Sequence, residues 1–222
     1  MKKNAIAGLA LVAGLAVAGY GAMTWFSPSS NAENAAPAEP VAATVTETGA
    51  FIGDVPIGGN GDEVTIIEYA SLTCPHCASF HRTIYKDLKA DYIDPGKVRF
   101  IYRDYPLDNF AMAATMIARC GGEKKYLGFI DLFLDKQDQW RTAPNVLEEL
   151  KKLAKLGGLG SDKIDACLED KALGQAVLEA ARTGQDEFDV NSTPSVVING
   201  EKYEGPMSSQ GLSAYIDDLL DG

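Results

Sequence analysis

The stretch at residues 64–80 reads VTIIEYASLTCPHCASF and contains two signals of secondary structure. Its first part, residues 64–70, is short, apolar and rich in β-branched side chains, which predicts a buried strand. Apolar residues then recur at every fourth position from residue 80 to residue 88, which predicts one face of a helix. Residues 98–102 (VRFIY) predict a second strand. A strand, a helix and a strand joined by short connections form a βαβ unit, whose strands are parallel.

A block of predicted helices follows, from about residue 109 to residue 189. It contains four stretches of helical character: 111–120, 127–134, 146–156 and 173–188. Residues 195–198 (SVVI) and 202–203 then flank Asn199-Gly200, a hairpin turn in which both residues tolerate positive φ. A final amphipathic helix would carry five apolar residues on one face: Leu212, Tyr215, Ile216, Leu219 and Leu220.

The N-terminus has the pattern of an export signal. Lys2 and Lys3 precede an uncharged run over residues 5–26, and the positive end of such a segment stays inside the cell. The run is long enough to cross a bilayer, so a cleaved signal peptide and a retained inner-membrane anchor both remain open. Either places the rest of the chain in the periplasm. Residues 27–50 are rich in Ser, Asn, Ala, Pro and Thr and predict a flexible linker.

The composition excludes one class of partner. The chain has 222 residues, 46% of them hydrophobic and 23% charged, which is ordinary for a globular protein. Its formal net charge is −11. Nucleic-acid binding depends on Lys and Arg side chains that neutralise phosphates, so this acidic chain is not expected to bind nucleic acid.

The motif Cys74-Pro75-His76-Cys77 lies where the first predicted strand meets the helix. At the helix N-terminus, unpaired N–H groups and the helix dipole favour a thiolate and lower the pKa of Cys74. Cys74 is therefore predicted to form mixed disulfides and Cys77, one turn further, to resolve them. Pro75 suits the first helical position. An imidazole at position 76 would stabilise the thiolate and make the disulfide a stronger oxidant, unless His76 is only an exposed turn residue.

A metal site is the alternative reading of the motif. Cys74, Cys77 and His81 supply three ligand types that zinc accepts, but structural zinc sites draw on a second closely spaced pair. Cys120 and Cys167 are far apart in sequence and have no neighbouring His. We therefore expect no metal ligands. An even number of cysteines in an exported protein instead favours a structural Cys120–Cys167 disulfide, worth ~4 kcal/mol, over two free thiols or a second redox pair.

Three further residues are candidates for the site. Glu68 is a carboxylate in an apolar strand, which is costly unless it has a task, such as accepting the proton of Cys77. The alternative is that Glu68 lies on a solvated strand face. Thr193-Pro194 opens the strand at residues 195–198, where proline is tolerated, and a plain turn proline is the alternative reading.

These residues together resemble the DsbA family of oxidoreductases. The resemblance rests on residues 66–69 (IIEY) leading into Cys74-Pro75-His76-Cys77, on residues 193–195 (TPS), and on the helical block. It implies an α/β, thioredoxin-like fold with an inserted all-helical domain. It also implies that Pro194 is cis and lies against the motif, that Thr193 and Pro194 contact substrate, and that Glu68 is buried beneath the resolving cysteine.

The resemblance also implies an activity and a domain order. Family oxidases introduce disulfides into reduced exported proteins, use no cofactor besides their redox-active disulfide, and are reoxidised by a quinone-linked membrane partner. Threonine before the cis-proline also occurs in isomerases and reductases, so these remain alternatives to an oxidase. The second cysteine pair, Cys120 and Cys167, resembles a feature of an alphaproteobacterial branch of the family. We expect the protein to be a monomer. The expected order is a signal peptide or membrane anchor (1–26), a flexible linker (27–50), a first thioredoxin-like part (51–107), an inserted helical domain (108–189) and a second thioredoxin-like part (190–222).

Overall fold

A computed structural model of the protein describes residues 39–59 and 64–222. The predicted signal or anchor, residues 1–26, lies outside these residues, as does half of the predicted linker. Across the described part of the chain, no helix combines the length and apolar character that a membrane span requires.

The described part of the chain begins with four strands, followed by two helices and a fifth strand, and helices dominate its middle. The strands are β1 (Thr44–Val45), β2 (Phe51–Ile52), β3 (Ile57–Gly58), β4 (Val64–Ala70), β5 (Val98–Asp104), β6 (Ser195–Ile198) and β7 (Glu201–Lys202). The helices are α1 (Pro75–Arg82), α2 (Ile84–Leu88), α3 (Asn109–Cys120), α4 (Glu123–Asp135), α5 (Gln137–Arg141), α6 (Val146–Leu156), α7 (Ser161–Leu168), α8 (Lys171–Phe188) and α9 (Ser209–Asp221). A π-helical turn, Lys89–Ile93, follows α2.

Strand β4 is the centre of the main sheet. The strand order is β3-β5-β4-β6-β7, with β4 parallel to β5 and antiparallel to β6. The predicted βαβ unit and the predicted hairpin are both confirmed, and Asn199 and Gly200 have the positive φ angles that the turn requires. Because β4 is paired on both edges and covered on both faces, all of its residues are buried.

The two faces of the sheet carry separate apolar clusters, because alternate side chains of a strand point to opposite faces. Ile67 and Tyr69 belong to one cluster, beneath α8. Ile66 and Ala70 belong to the larger cluster, which also contains the cysteines of the motif. Glu68 has the same parity as Ile66 and Ala70, so strand alternation directs its side chain to the motif's face.

The described part of the predicted linker is folded. Val45 pairs with Phe51, Ala50 is fully buried, and the Thr48 hydroxyl donates a 2.6 Å hydrogen bond to the Asp170 carboxylate at the start of α8. Folded chain therefore begins before Phe51, the predicted start. Composition does not detect this segment, because it is held by backbone pairing and hydroxyl contacts rather than by an apolar run.

Two other predicted helices differ from the structure, and two observed helices were not predicted. The helix after the motif is interrupted at Thr83, whose φ of −120° and ψ of −78° are not helical. The short helices α5 and α7 were not predicted. In α9, Leu212 and Ile216 are buried, whereas the other apolar residues of the predicted face are at least one-third exposed: Tyr215, Leu219 and Leu220.

Helix α8 packs against the sheet, although it was predicted as the last helix of the inserted domain. A Cβ atom on Gly184 would lie 2.5 Å from Cε1 of Tyr69, so a residue without a side chain is required at this contact. The ring of Phe188 lies 6.2 Å from the ring of Tyr69. Within the helical block, a disulfide joins Cys120 in α3 to Cys167 in α7.

A buried ion pair joins the end of β5 to this helical block. Arg119, only 4% exposed, donates from Nε to Asp104 Oδ2 at 2.7 Å and from Nη1 to the carbonyls of Phe51 and Gly53. Tyr126 donates to the same carboxylate oxygen at 2.8 Å. One arginine therefore connects the N-terminal segment, the sheet and α3.

Replacement of Arg119 by Met should lower the free energy of unfolding by about 3–5 kcal/mol, because Asp104 would keep a buried charge without its partner. Denaturant unfolding at neutral pH measures the loss. The control is Arg182→Met, which removes an exposed arginine paired with Glu179 at 3.6 Å and should change stability by less than about 1 kcal/mol. Equal small losses in both variants would contradict the assigned role of Arg119.

Candidate active site

Cys74 occupies the N-cap of α1, immediately after the loop that leaves β4. Its backbone is extended (φ −76°, ψ 119°), and Pro75 takes the first helical position, as predicted. The Cys74 carbonyl accepts the first helical hydrogen bond, from Ala78 N at 3.2 Å. The thiol therefore lies where the unpaired N–H groups of the helix converge.

The surroundings of Cys74 favour its thiolate. A hydrogen bond from the Cys77 thiol is the main cause, and burial opposes it. The backbone N–H groups of Cys77 and His76 add further stabilisation. Together they lower the pKa of Cys74 to about 5. The contribution of residue 76 here is its amide, whereas the imidazole is exposed.

Cys77 has the opposite behaviour. Its side chain is fully buried, and both cysteines are thiols in the structure. Its hydrogen bond to Cys74 raises the pKa of the Cys77 thiol well above the usual range, and burial and the charge of Glu68 raise it further. One cysteine of the pair is thus held ready to ionise while the other holds its proton.

Glu68 is buried rather than solvated, which decides between the two sequence readings of its environment. It is 1% exposed, and Oε1 has no hydrogen-bond partner among the described residues. Burial, followed by the charge of Cys74, raises the pKa of Glu68 to about 8. A carboxyl group with this pKa can both release and accept a proton near neutral pH.

The loop before β6 brings Thr193 and Pro194 to the motif. The Thr193–Pro194 peptide is cis, and the Cys74 thiol donates to the Thr193 carbonyl at 3.3 Å. The Thr193 hydroxyl is buried and has no hydrogen-bond partner in the part of the chain that the structure describes. Beside these residues lies a groove of about 570 Å³, whose walls include His76, Phe80 and Met207.

His81 makes contacts of its own away from this hydrogen-bond network. Its Nε2 lies 3.2 Å from Asp131 Oδ1 in α4, and its ring stacks on Tyr85 at 4.8 Å between centroids. Within residues 39–59 and 64–222, no three His, Cys, Asp or Glu side chains come together as a possible metal site.

The sequence did not predict the residues that hydrogen-bond the loop before the motif. Gln137 of α5 donates to the carbonyls of Leu72 and Cys74 at 2.8 and 2.9 Å. The Thr73 hydroxyl donates to Asp108 Oδ2 at 2.7 Å, and Asp108 also caps α3. Asp108 had a sequence signal, because an aspartate before an apolar helix is a preferred N-cap. Gln137 had none, because nothing local distinguishes it from a surface glutamine.

Titration of the reduced protein should show one thiolate forming with a midpoint near pH 5 and none from Cys77 in the same range. Ultraviolet absorbance of the thiolate measures this, with Cys74→Ser as the blank. The folded pKa of Cys74 lies below its ordinary value of 9.0, so its contribution to stability is complete above pH 9 and is lost as pH falls towards 5. The difference in unfolding free energy between the reduced and oxidised forms should shrink over that interval, and a constant difference would contradict the assignment.

Comparisons with known proteins identify the family. The thioredoxin family model matches residues 52–218. A candidate protein-disulfide oxidoreductase of Rickettsia bellii is 30% identical over 169 residues, covering 76% of this chain and 65% of that protein. For the corresponding Rickettsia prowazekii protein the identity is also 30%, with 62% of its length covered. The chain therefore spans a little under two thirds of these curated relatives.

Solved structures agree with this match. Wolbachia pipientis alpha-DsbA1 is 28% identical, with a TM-score of 0.69 over 76% of this chain and 91% of that chain. A protein-disulfide isomerase from Novosphingobium aromaticivorans shares the fold at 21% identity, with a TM-score of 0.67 over 77% of this chain and 99% of that chain. The predicted thioredoxin-like fold with inserted helices is confirmed. The chain belongs to the thioredoxin family and, within it, to the DsbA-like proteins.

Proposed function

We propose that the protein is a thiol:disulfide oxidoreductase that introduces disulfide bonds into exported proteins. The observation that carries the proposal is the unequal cysteine pair: the pKa of Cys74 is lowered to about 5, while that of Cys77 is raised. A stabilised thiolate stabilises the reduced enzyme, which makes its disulfide an oxidant. The similarity to protein-disulfide oxidoreductases supports the same activity.

In the first step, a substrate thiolate attacks Sγ of Cys74 in the oxidised enzyme. A bond forms between the substrate sulfur and Cys74, the Cys74–Cys77 bond breaks, and Cys77 leaves with the electron pair and takes up a proton. Cys74 is the sulfur attacked because it lies at the N-cap of α1 and is 6% exposed, whereas Cys77 is fully buried.

In the second step, another thiolate of the substrate attacks the substrate sulfur of the mixed disulfide. The substrate disulfide forms, and Cys74 leaves as the thiolate that its surroundings stabilise. A leaving group of low pKa departs faster, so the lowered pKa of Cys74 assists this step. Two electrons have then moved from the substrate to the cysteine pair, which is the only redox group that the reaction requires.

Glu68 is proposed as the proton carrier of Cys77. It is buried on the motif's face of β4, its charge contributes to the raised pKa of Cys77, and its own pKa of about 8 allows both protonation states near neutral pH. Glu68 would donate a proton to the Cys77 sulfur when it leaves, and would accept the proton of the Cys77 thiol when Cys77 attacks a mixed disulfide.

Thr193, Pro194 and the neighbouring groove are proposed as the substrate site. The Thr193 carbonyl is within 3.3 Å of Cys74 Sγ, so a peptide whose cysteine is bonded to Cys74 would run past it. The groove walls are formed mainly by small polar and apolar side chains, which suits unfolded segments of varied sequence. His76 lines the same groove and is proposed to tune the thiolate from there.

The remaining assignments are carried by the sequence and the family. The lysine-led apolar run supports a periplasmic location, and the resemblance supports reduced exported proteins as substrates and a quinone-linked membrane protein as reoxidant. The Cys120–Cys167 disulfide is proposed as structural, because it joins two buried helix positions. A monomer without metal or nucleic acid is expected.

Equilibration of the purified protein in glutathione buffers tests the oxidase proposal. The Cys74–Cys77 midpoint should be more positive than about −180 mV, since stabilising the thiolate favours reduction. A midpoint near about −270 mV would instead indicate a reductase. Cys74→Ser should abolish oxidation of a reduced peptide, whereas Cys77→Ser, with oxidised glutathione as the oxidant, should accumulate a mixed disulfide between Cys74 and the peptide. Zinc and copper analysis of the same sample tests the metal alternative, which stoichiometric retained metal would favour.

Glu68→Gln should slow the attack of Cys77 on a mixed disulfide by about 100-fold at neutral pH, the usual contribution of a positioned proton acceptor. Rapid-quench measurement of peptide release from Cys74 reports this rate. Glu179→Gln is the control, because Glu179 is an exposed carboxylate on α8. An unchanged release rate in Glu68→Gln would remove Glu68 from the mechanism and leave the exchange chemistry intact.

A further inference from the structure

Gln137 is a buried polar side chain that the proposed reaction does not use. It is 1% exposed and is the first residue of α5, in the helical block. Both of its hydrogen bonds cross to the loop that carries the motif: Nε2 donates to the Leu72 carbonyl at 2.8 Å and to the Cys74 carbonyl at 2.9 Å. A single amide group thus holds the chain on both sides of Thr73.

The position of the Cys74 carbonyl determines the orientation of the peptide that joins Cys74 to Pro75. The peptide that joins Cys74 to Pro75 has no N–H, so its carbonyl is its only hydrogen-bonding group. That carbonyl accepts from Ala78 N and from Gln137 Nε2, which uses both of its lone pairs. The plane of this peptide, and with it the direction of the Cα–Cβ bond of Cys74, is therefore fixed by one contact inside α1 and one contact from α5.

Gln137 is itself held firmly. Trp140 in the same short helix is fully buried, and its Nε1 donates to the Phe133 carbonyl at the end of α4 at 2.7 Å. Backbone contacts continue the chain from α4 into α5, because Lys136 N donates to Leu132 O at 3.0 Å. The amide is thus presented to the loop by a helix that cannot slide or rotate without exposing a tryptophan.

We propose that Gln137 is a positioning residue for the reactive thiol: its amide fixes the 72–75 backbone so that Cys74 Sγ meets its hydrogen-bond donors. The inference rests on the proposed function, because it concerns the same thiolate. It goes beyond that function by assigning part of the reactivity to a residue of the inserted helical block, whose hydrogen bonds reach backbone carbonyls rather than a sulfur atom.

The physical consequence differs between the two redox states. The donors to Cys74 Sγ, namely the Cys77 thiol and the amides of His76 and Cys77, stabilise a charge that exists only in the reduced form. In the oxidised form, the bond between the two sulfurs sets their distance. Loosening the 72–75 backbone therefore weakens the reduced form selectively, because hydrogen bonds to an ionised group depend strongly on distance and angle.

Gln137→Met tests this, since methionine has a similar length and shape but donates no hydrogen bond. We expect the pKa of Cys74 to rise by about one unit, which is a tenfold weaker preference for the thiolate. The same factor lowers the glutathione midpoint by about 30 mV. The control is Gln139→Met, which removes an exposed glutamine of the same helix that bonds Glu149 at 2.7 Å and should leave both values unchanged.

Thermal unfolding of the reduced and oxidised forms of each variant distinguishes a positioning role of Gln137 from a purely structural role. A purely structural role would lower the melting temperatures of the reduced and oxidised forms equally and leave the pKa of Cys74 unchanged, which would overturn the proposal. Gln137→Asn, whose amide is one methylene too short to reach both carbonyls, should shift the pKa in the same direction if the methionine variant does not fold. Absence of exchange activity in the wild-type protein would count against the proposed function. An unshifted pKa of Cys74 in either folded variant counts only against the role of Gln137.

Discussion

The hydrogen bond between the two thiols of the motif is the interaction on which the site depends. It lowers the pKa of Cys74 and raises that of Cys77, and in both residues it is the largest single influence. Two cysteines three positions apart can be this unequal only if the helix places one at its open end and the other inside its first turn. The strand that leads into the helix, the proline at its first position and the loop behind it all serve this placement.

Burial is the second constraint, and it acts on all three titratable groups at once. It opposes ionisation at Cys74, Cys77 and Glu68, so the one charge that the pocket tolerates must be the best stabilised. Cys74 has several hydrogen-bond donors, whereas Glu68 Oε1 has no partner among the described residues. The negative charge therefore resides on Cys74. Its hydrogen bond with Cys77 raises the pKa of that thiol, and its charge adds to burial, the main cause of the raised pKa of Glu68.

The helical block is joined to the thioredoxin-like part by specific polar contacts. Arg119 ties α3 to the end of β5 through a buried ion pair, the disulfide joins α3 to α7, and Gln137 reaches the motif from α5. The Arg119 and Gln137 contacts satisfy polar groups that would otherwise be buried without partners, which is far costlier than leaving them in water. The insertion is thus connected to the active-site loop by groups that tolerate little displacement.

The sequence by itself determined the local elements and the reactive residues. The βαβ unit, the Asn199-Gly200 hairpin and the Cys74–Cys77 pair follow from periodicity, turn preferences and spacing, all of which act over a few neighbouring residues. The fold of residues 44–50, the contact of α8 with the sheet, the burial of Glu68 and the contacts of Gln137 were decided only by the tertiary structure. In each of these cases at least one deciding partner is distant in sequence, such as Asp170 for Thr48 and Tyr69 for Gly184, so part of the stabilising free energy is absent until the chain has folded.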